Sequence, residues 1–416
     1  MSALSFDNVP GDRLTPKVRR IRRAATPAFF RTVMAAATHD WEGGSLTIHL
    51  PEGGSLVVER RGEGPDAVMS VNDFRFLRRV MAAGDIGFAE GYVAGEWDTP
   101  DLSALLETLC VNFDRLQRLA VGSPVVRLWN RVLNQFRRNT RRGSKRNIYA
   151  HYDLGNAFYS AWLDPSMSYS SACYAEPGQS LEAAQREKYA ALARAIDLQP
   201  GHTVLEIGCG WGGFAEYAAR EVGAKVTGLT ISQAQHDYAK ARLETAGLSD
   251  LTDIRLQDYR EVGGQFDRVV SIEMFEAVGE AYWPGYFDQV HDRLKPGGKA
   301  GLQIITIADE LFDHYRSRVD FIQKYVFPGG MLPSERRLQE ETARAGLAWA
   351  GVRRFGADYA DTLQAWCNRF ETAWPTLRQQ GFDEPFRRLW RFYLAYCEAG
   401  FRTARTNVVQ LVVDRP

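Results

Sequence analysis

The sequence predicts an α/β fold, a sheet flanked by helices, with a smaller α+β domain ahead of it. Three observations carry this. The apolar run Thr203–Ile207 ends in Gly208, Gly210 and Gly212 and passes at once into a helical pattern at 214–222. Further apolar strands at 225–229, 254–256, 266–272 and 300–307 then alternate with helical stretches. Residues 1–110 instead carry short strands separated by Gly-Gly turns.

Composition sets the scale. The 416 residues, 45% hydrophobic and 25% charged, suffice for a large core and two domains. Lys and Arg number 51, Asp and Glu 51, so attraction to anionic partners must come from local clustering. The five cysteines, at 110, 173, 209, 367 and 397, are scattered without a Cys-x-x-Cys pair, which reads as a reduced compartment and no zinc site. No run of eighteen apolar residues and no signal-peptide core is present, so the expectation is a cytoplasmic protein, at most peripheral on the inner face of a membrane.

The first domain, 1–110, opens with Lys17, Arg19, Arg20, Arg22 and Arg23 around Val18 and Ile21, a solvated helix face or a lipid head-group contact. An apolar helix is expected at 28–37 and strands at 45–50 and 55–59, with Gly43-Gly44 and Gly53-Gly54 as turns. A helix at 73–81 leads into 84–98. Residues 111–146 form a basic amphipathic linker. From Arg115 to Arg146 there are ten basic residues and no acidic one, interleaved with Leu116, Leu119, Leu128, Trp129 and Phe136. Such a segment suits an anionic bilayer surface, each cation contributing on the order of 1 kcal/mol. Nucleic acid is the rival partner, but no basic groove accompanies the segment, so no nucleic-acid role is expected.

The second domain, 147–416, holds the chemistry. Glycines where a strand hands over to a helix let a ligand approach the backbone, and the helix N-terminus favours polar or anionic groups. Nicotinamide, flavin and S-adenosylmethionine domains all use such a turn. The absence of Gly-Lys-Ser/Thr argues against a P-loop. Thr230, Ser232 and Gln235 at the end of the next strand suit a ribose, and Asp258 with Tyr259 suits adenine, with no phosphate to neutralise. That combination favours S-adenosylmethionine. At the end of the 266–272 strand, Glu276 is placed to reach a ligand at the carboxyl edge of the sheet. A nucleic-acid methyltransferase would carry Asn/Asp-Pro-Pro-Tyr/Phe there; this chain reads Glu273-Met274-Phe275-Glu276. His151, Asp153 and Asn156 cluster near the start of the domain, and a long aromatic helical C-terminus follows 355–359.

HYDLGN, YSSA, VLEIGCGWGG, GLTIS with its downstream Gln, LQDYR, MFE, LKPGG, KYVFPGGMLPS and FGADY with LQAW keep one order from about Gly84 to Val412. Together they resemble the cyclopropane-fatty-acyl-phospholipid synthase family. The resemblance implies a class I methyltransferase (Rossmann-like) sheet and transfer of one carbon from S-adenosylmethionine to the double bond of an unsaturated acyl chain in a phospholipid bilayer. It implies cofactor contacts from Tyr169, Ser170, Glu206, Gly208, Gly210, Gly212, Thr230, Ser232, Gln235, Asp258 and Tyr259. A homodimer and a partner oxidoreductase are further implied.

An alkene is a weak nucleophile, so both carbons must be held in line with an electrophilic methyl, and transfer leaves a carbocation that carboxylates and aromatic faces stabilise. A base then removes a proton, and its placement selects the product. In cyclopropane-forming relatives the base is a bicarbonate gripped by a Cys, a Glu, a His, a Tyr and a backbone carbonyl. Carried over by position, the Glu is Glu276, the Tyr is Tyr359 and the carbonyl is that of Ile307. Ser171 stands at the Cys position, with Cys173 two residues on, and Ile305 stands at the His position. Losing one donor from a buried anion site costs on the order of 1.5–3 kcal/mol. Either Ser171 and water replace the donors and a ring forms, or the base is rearranged and the acyl chain leaves methylated; the second is the expectation here. A different class of reading is a lipid-binding module that has lost activity.

Overall fold

The computed structural model describes residues 18–20, 28, 30, 34–35, 38–39, 41–113 and 154–416. The basic segment 115–146, His151, Asp153 and most of the expected 28–37 helix lie outside the described residues. The chain divides into two units, Met1–Val132 with Arg378–Thr403, and Leu133–Leu377 with Ala404–Pro416.

The first unit contains the strands β1 (Val18–Arg20), β2 (Ser45–His49), β3 (Ser55–Val58), β4 (Asp66–Val71) and β5 (Trp97–Asp98), in the sheet order β1-β3-β2-β4-β5. Gly53 and Gly54, at φ of 84° and 94°, make the hairpin between β2 and β3 in a left-handed backbone region that other residues rarely adopt. The domain boundary differs from the sequence expectation, which gave all of 147–416 to one domain. Helix Glu384–Arg402 belongs with the first unit. Its Arg388 donates to the carbonyls of Tyr92 (2.6 Å) and Trp97 (3.0 Å) and to Asp98 (3.0 Å), and Glu398 accepts from Ser103 (2.6 Å).

The second unit is built on seven strands: β6 (Thr203–Ile207), β7 (Lys225–Thr230), β8 (Thr252–Leu256), β9 (Phe266–Ile272), β10 (Leu294–Ile307), β11 (Ala348–Arg354) and β12 (Thr406–Asp414). Their order is β11-β12-β10-β9-β6-β7-β8. Strands β6 to β10 are parallel; β12 runs antiparallel between β10 and β11. The expected helical C-terminus therefore ends in a strand. TNVVQLVVD is rich in β-branched residues and buried on both faces, the pattern of a central strand. Side chains alternate faces, so Leu205, Val269 and Leu302 enter one core with Trp283 and Phe287, while Val204, Val270 and Val226 enter another with Leu192 and Phe214. After β6 the chain builds outward through β7 and β8, then returns to place β9 on the other side of β6. That reversal is the switch point where open α/β sheets hold ligands.

Candidate active site

Two loops meet at the switch point: the glycine turn after β6 and the segment after β9. The turn is pinned sideways, since the N–H groups of Gly208 and Cys209 both donate to the Leu229 carbonyl (3.0 and 2.8 Å). Gly208, Gly210 and Gly212 have φ of 83°, 52° and 83°. A Cβ at Gly208 would lie 2.6 Å from Met274 Cγ, whereas one at Gly210 would meet nothing within 4 Å. The first glycine is needed for close packing against the β9 loop, and the second faces open space.

Around the turn, Glu206 is 2% exposed and its Oε2 has no hydrogen-bond partner among the described residues. Burial pushes its carboxyl up to about 8, against the pull of Lys188. Thr230 donates to Gln235 Oε1 (2.9 Å) and accepts from the Ser232 N–H (3.1 Å), and Ser232 caps helix Gln233–Thr245. These three form one polar cluster beyond β7. Asp258 is gripped by Arg260 through Nε (2.8 Å) and Nη2 (2.5 Å), and the Tyr259 ring packs 5.6 Å from Tyr286. Tyr169 sits in an aromatic group with Tyr159 (5.3 Å), Trp162 (5.6 Å) and Trp366 (5.3 Å). Ser170 is committed to helix Leu181–Ala195: its hydroxyl accepts from Lys188 Nζ (2.6 Å), its carbonyl from Gln185 (2.9 Å). Burial pulls Lys188 down to about 8. The Trp211 indole donates to Asn156 Oδ1 (2.9 Å) and packs against Tyr159, which leaves its backbone as the part that lines the turn.

The β9 loop brings together residues that the sequence treats separately, through one that it passes over. Glu273 has φ of 49°, unusual for a residue with a side chain. Its Oε2 accepts from the Tyr359 hydroxyl (2.6 Å); its Oε1 accepts from the Ser171 N–H (2.8 Å) and Gln303 Nε2 (2.9 Å). Burial holds this carboxyl above the ordinary range while Tyr359 and Gln303 pull it down. Glu276 Oε1 accepts from the Ile305 N–H (2.5 Å), and its Oε2 is buried with no partner among the described residues, although the residue as a whole is partly exposed. Burial, then the charge on Glu273, push Glu276 up to about 8.

Tyr359 and Ser171 thus converge on Glu273 and not on Glu276. Ile307 is held by its N–H to the Pro333 carbonyl (2.9 Å) and pairs with Thr406 of β12. The Ser171 hydroxyl donates to the neighbouring Ala172 carbonyl (2.8 Å), so it is spent locally. Cys173 does not take its place: burial pushes the thiol up to about 11 and Asp358 is beside it. Ile305 offers only its backbone. These residues do not fit a bicarbonate, because the Tyr already binds a protein carboxylate and two side-chain donors are missing. They do fit a cofactor at the turn, where Glu206 Oε2 is orphaned and Gly210 leaves room. The signal for Glu273 was present in the sequence as a second carboxylate at the end of a central strand.

The family model for mycolic acid cyclopropane synthetase matches residues 139–411. A tuberculostearic acid methyltransferase of Mycobacterium tuberculosis is 37% identical over 95% of this chain and 90% of its own length. The cyclopropane-fatty-acyl-phospholipid synthase of Escherichia coli K12 is 36% identical over 87% of this chain and 89% of its own. Among solved structures, a mycolic acid cyclopropane synthase complexed with SAH and CTAB superposes with a TM-score of 0.61 at 28% identity, covering 65% of this chain and 98% of that one.

Proposed function

This chain belongs to the mycolic acid cyclopropane synthetase family, and we propose that it methylates the double bond of unsaturated acyl chains in membrane phospholipid, leaving a methylated chain that keeps a double bond. It is an S-adenosylmethionine-dependent C-methyltransferase of the cyclopropane-synthase kind. The observation that carries the product assignment is Glu273: the donors that would organise a ring-forming bicarbonate are turned onto this side chain or are absent.

When bound, S-adenosylmethionine supplies an electrophilic methyl group. The residues that would hold it are Glu206, the backbone of Gly208 to Gly212, the Thr230–Ser232–Gln235 cluster, Asp258 and Tyr259, with Tyr169 and Ser170 closing the site. Asp258 would face the cofactor with its carboxylate held in place by Arg260. The acyl double bond would lie between the turn and the β9 loop, which Met274 presses against Gly208. As positive charge develops on the alkene, the rings of Tyr169, Tyr359 and Trp366 stabilise it by about 0.5–2 kcal/mol each, and the carboxylates add to this.

Supply of the substrate is proposed to depend on the 115–146 segment, whose ten cations would draw the protein onto an anionic inner leaflet. Among the described residues no helix is long and apolar enough to cross a membrane. A homodimer, and an oxidoreductase acting on the methylated alkene, complete the proposal.

The test is incubation of purified protein with S-adenosylmethionine and vesicles of monounsaturated phospholipid, followed by gas chromatography and mass spectrometry of the acyl chains. The expected product is one CH2 heavier and still takes up hydrogen over a catalyst. A product of the same mass that resists mild hydrogenation is a cyclopropane and overturns the product assignment. Cofactor binding without transfer to any unsaturated lipid favours a lipid-binding module.

A further inference from the structure

We propose that Glu273 is the general base of this site, a protein carboxylate standing where the family resemblance implies a bound bicarbonate. The inference rests on the methyl-transfer reading above and deepens it. Two of the positions implied to grip that anion already bind Glu273: the Tyr359 hydroxyl donates to Oε2 (2.6 Å) and the N–H of Ser171 to Oε1 (2.8 Å). Gln303 adds a third donor at 2.9 Å. At the implied histidine position, Ile305 gives its N–H to Glu276 and has no imidazole to offer. The anion site is therefore assembled around a side chain.

The backbone points the same way. Glu273 is held at φ of 49° by its own N–H, which donates to the Gln303 carbonyl (2.8 Å), and by the Ser171 and Tyr359 contacts. Such a conformation is costly for a residue with a Cβ and persists where the surroundings over-determine it, commonly at functional sites. Beside it, Met274 touches Gly208 of the cofactor turn, so the carboxylate lies one residue from the wall of the cofactor site. The second carboxylate divides the labour. Burial and the charge on Glu273 push Glu276, with one oxygen buried and without a partner among the described residues, towards its protonated form, while three donors favour the charged form of Glu273.

The step balances without a further reagent. The alkene π pair forms the new carbon–carbon bond to the methyl as the sulfur–methyl bond breaks, its electron pair staying on sulfur. Positive charge then rests on the other alkene carbon. Glu273 takes a proton from a carbon next to that centre, and the C–H electron pair closes a carbon–carbon double bond. The sulfonium charge and the carboxylate charge both end at zero.

The test compares wild type, E273Q and E273G in carbon-dioxide-depleted buffer, with and without added bicarbonate or formate, reading methyl transfer to monounsaturated phospholipid and binding of S-adenosylhomocysteine by calorimetry. Glutamine keeps the shape and removes the base; glycine suits the left-handed backbone and opens the anion site. Wild type is expected to be indifferent to bicarbonate. E273Q is expected to lose about 10²- to 10⁴-fold in turnover, the usual worth of a positioned base. E273G is expected to be as impaired and to regain about tenfold or more when a small anion fills the space. Homocysteine-cofactor binding is expected to stay within about threefold throughout, since the base is not one of its ligands. A wild type that slows when bicarbonate is removed, an E273Q enzyme at the wild-type rate, or an E273G enzyme that no small anion revives overturns the assignment. Wild type that binds the cofactor and methylates no unsaturated lipid sinks the methyl-transfer reading instead.

Discussion

Replacing Tyr359 by Phe removes one hydroxyl and leaves a ring in place against Trp366, whose centroid is 6.1 Å away. The hydroxyl donates to Glu273 Oε2 at 2.6 Å and so favours the charged carboxylate. Its loss must raise a carboxyl that burial already holds above the ordinary range. A hydrogen bond to a charged group is worth about 1.5–3 kcal/mol, and one pKa unit corresponds to about 1.4 kcal/mol, so the shift is about one to two units upward. A base is active when deprotonated, so the acid limb of the pH profile of kcat/KM moves to higher pH by that amount. At a pH below the new limb, activity falls about 10- to 100-fold; well above it, most activity returns. The assay is the pH–rate profile of Y359F and wild type with the same vesicles. A limb that stays put while the plateau collapses would show that Tyr359 acts on the substrate or cofactor and not through Glu273, and would refute the reasoning.

Glu206 and Glu276 each hold a proton in the folded state to about 8, from an ordinary value of 4.5. Between those limits the folded chain binds more protons than the unfolded one, so stability falls as pH rises through the window; E206Q is expected to flatten this fall by up to about 1.4 kcal/mol per pH unit, read as Tm against pH. Gly208→Ala forces φ of 83° on a residue with a Cβ and drives that Cβ to 2.6 Å from Met274 Cγ. At least about 1–2 kcal/mol of stability is expected to go, with a larger loss of S-adenosylhomocysteine affinity by calorimetry. Arg388→Ala removes the guanidinium's hydrogen bonds to the carbonyls of Tyr92 and Trp97 and its ion pair with Asp98. About 2–3 kcal/mol should be lost from the first unit, seen as an earlier unfolding transition with cofactor affinity unchanged.

Much of the second unit is legible because its signals are local. Strand β9 is FDRVVSI, an apolar run bounded by polar residues, and β6 breaks into glycines at once. Both are readable from a dozen residues. Strand β12 carries the β-branched pattern of a strand, but its place between β10 and β11 is something no stretch of 406–414 specifies. Helix Glu384–Arg402 misleads for a similar reason: its anchor, Arg388, finds its partners nearly three hundred residues back in the chain. At the site, the glycine turn after β6 was readable from residue type and spacing. The Glu273 contacts were not, since they require a left-handed backbone at a glutamate and donors from three other elements.

That dependence on distant donors bears on how an internal base is held. Gln303, fully buried on β10, donates from one nitrogen to Glu273 and to the Ser171 carbonyl (3.3 Å), while its oxygen accepts from Gln410 of β12 (3.1 Å). Gln410 in turn donates to the Lys188 carbonyl (3.1 Å), and the ammonium of Lys188 acts on Glu273 as a favourable charge. A mobile bicarbonate would need donors only while it is bound. A carboxylate fixed to the chain must be satisfied at all times, or its burial would destabilise the fold by several kcal/mol. The two glutamines and the lysine form such a shell. They also account for polar side chains on strands otherwise buried on both faces, where an isolated amide would be a liability. The shell orients Glu273 and favours its charged form, while burial favours the protonated form of Glu276, so the pair is suited to dividing the base and the proton between them.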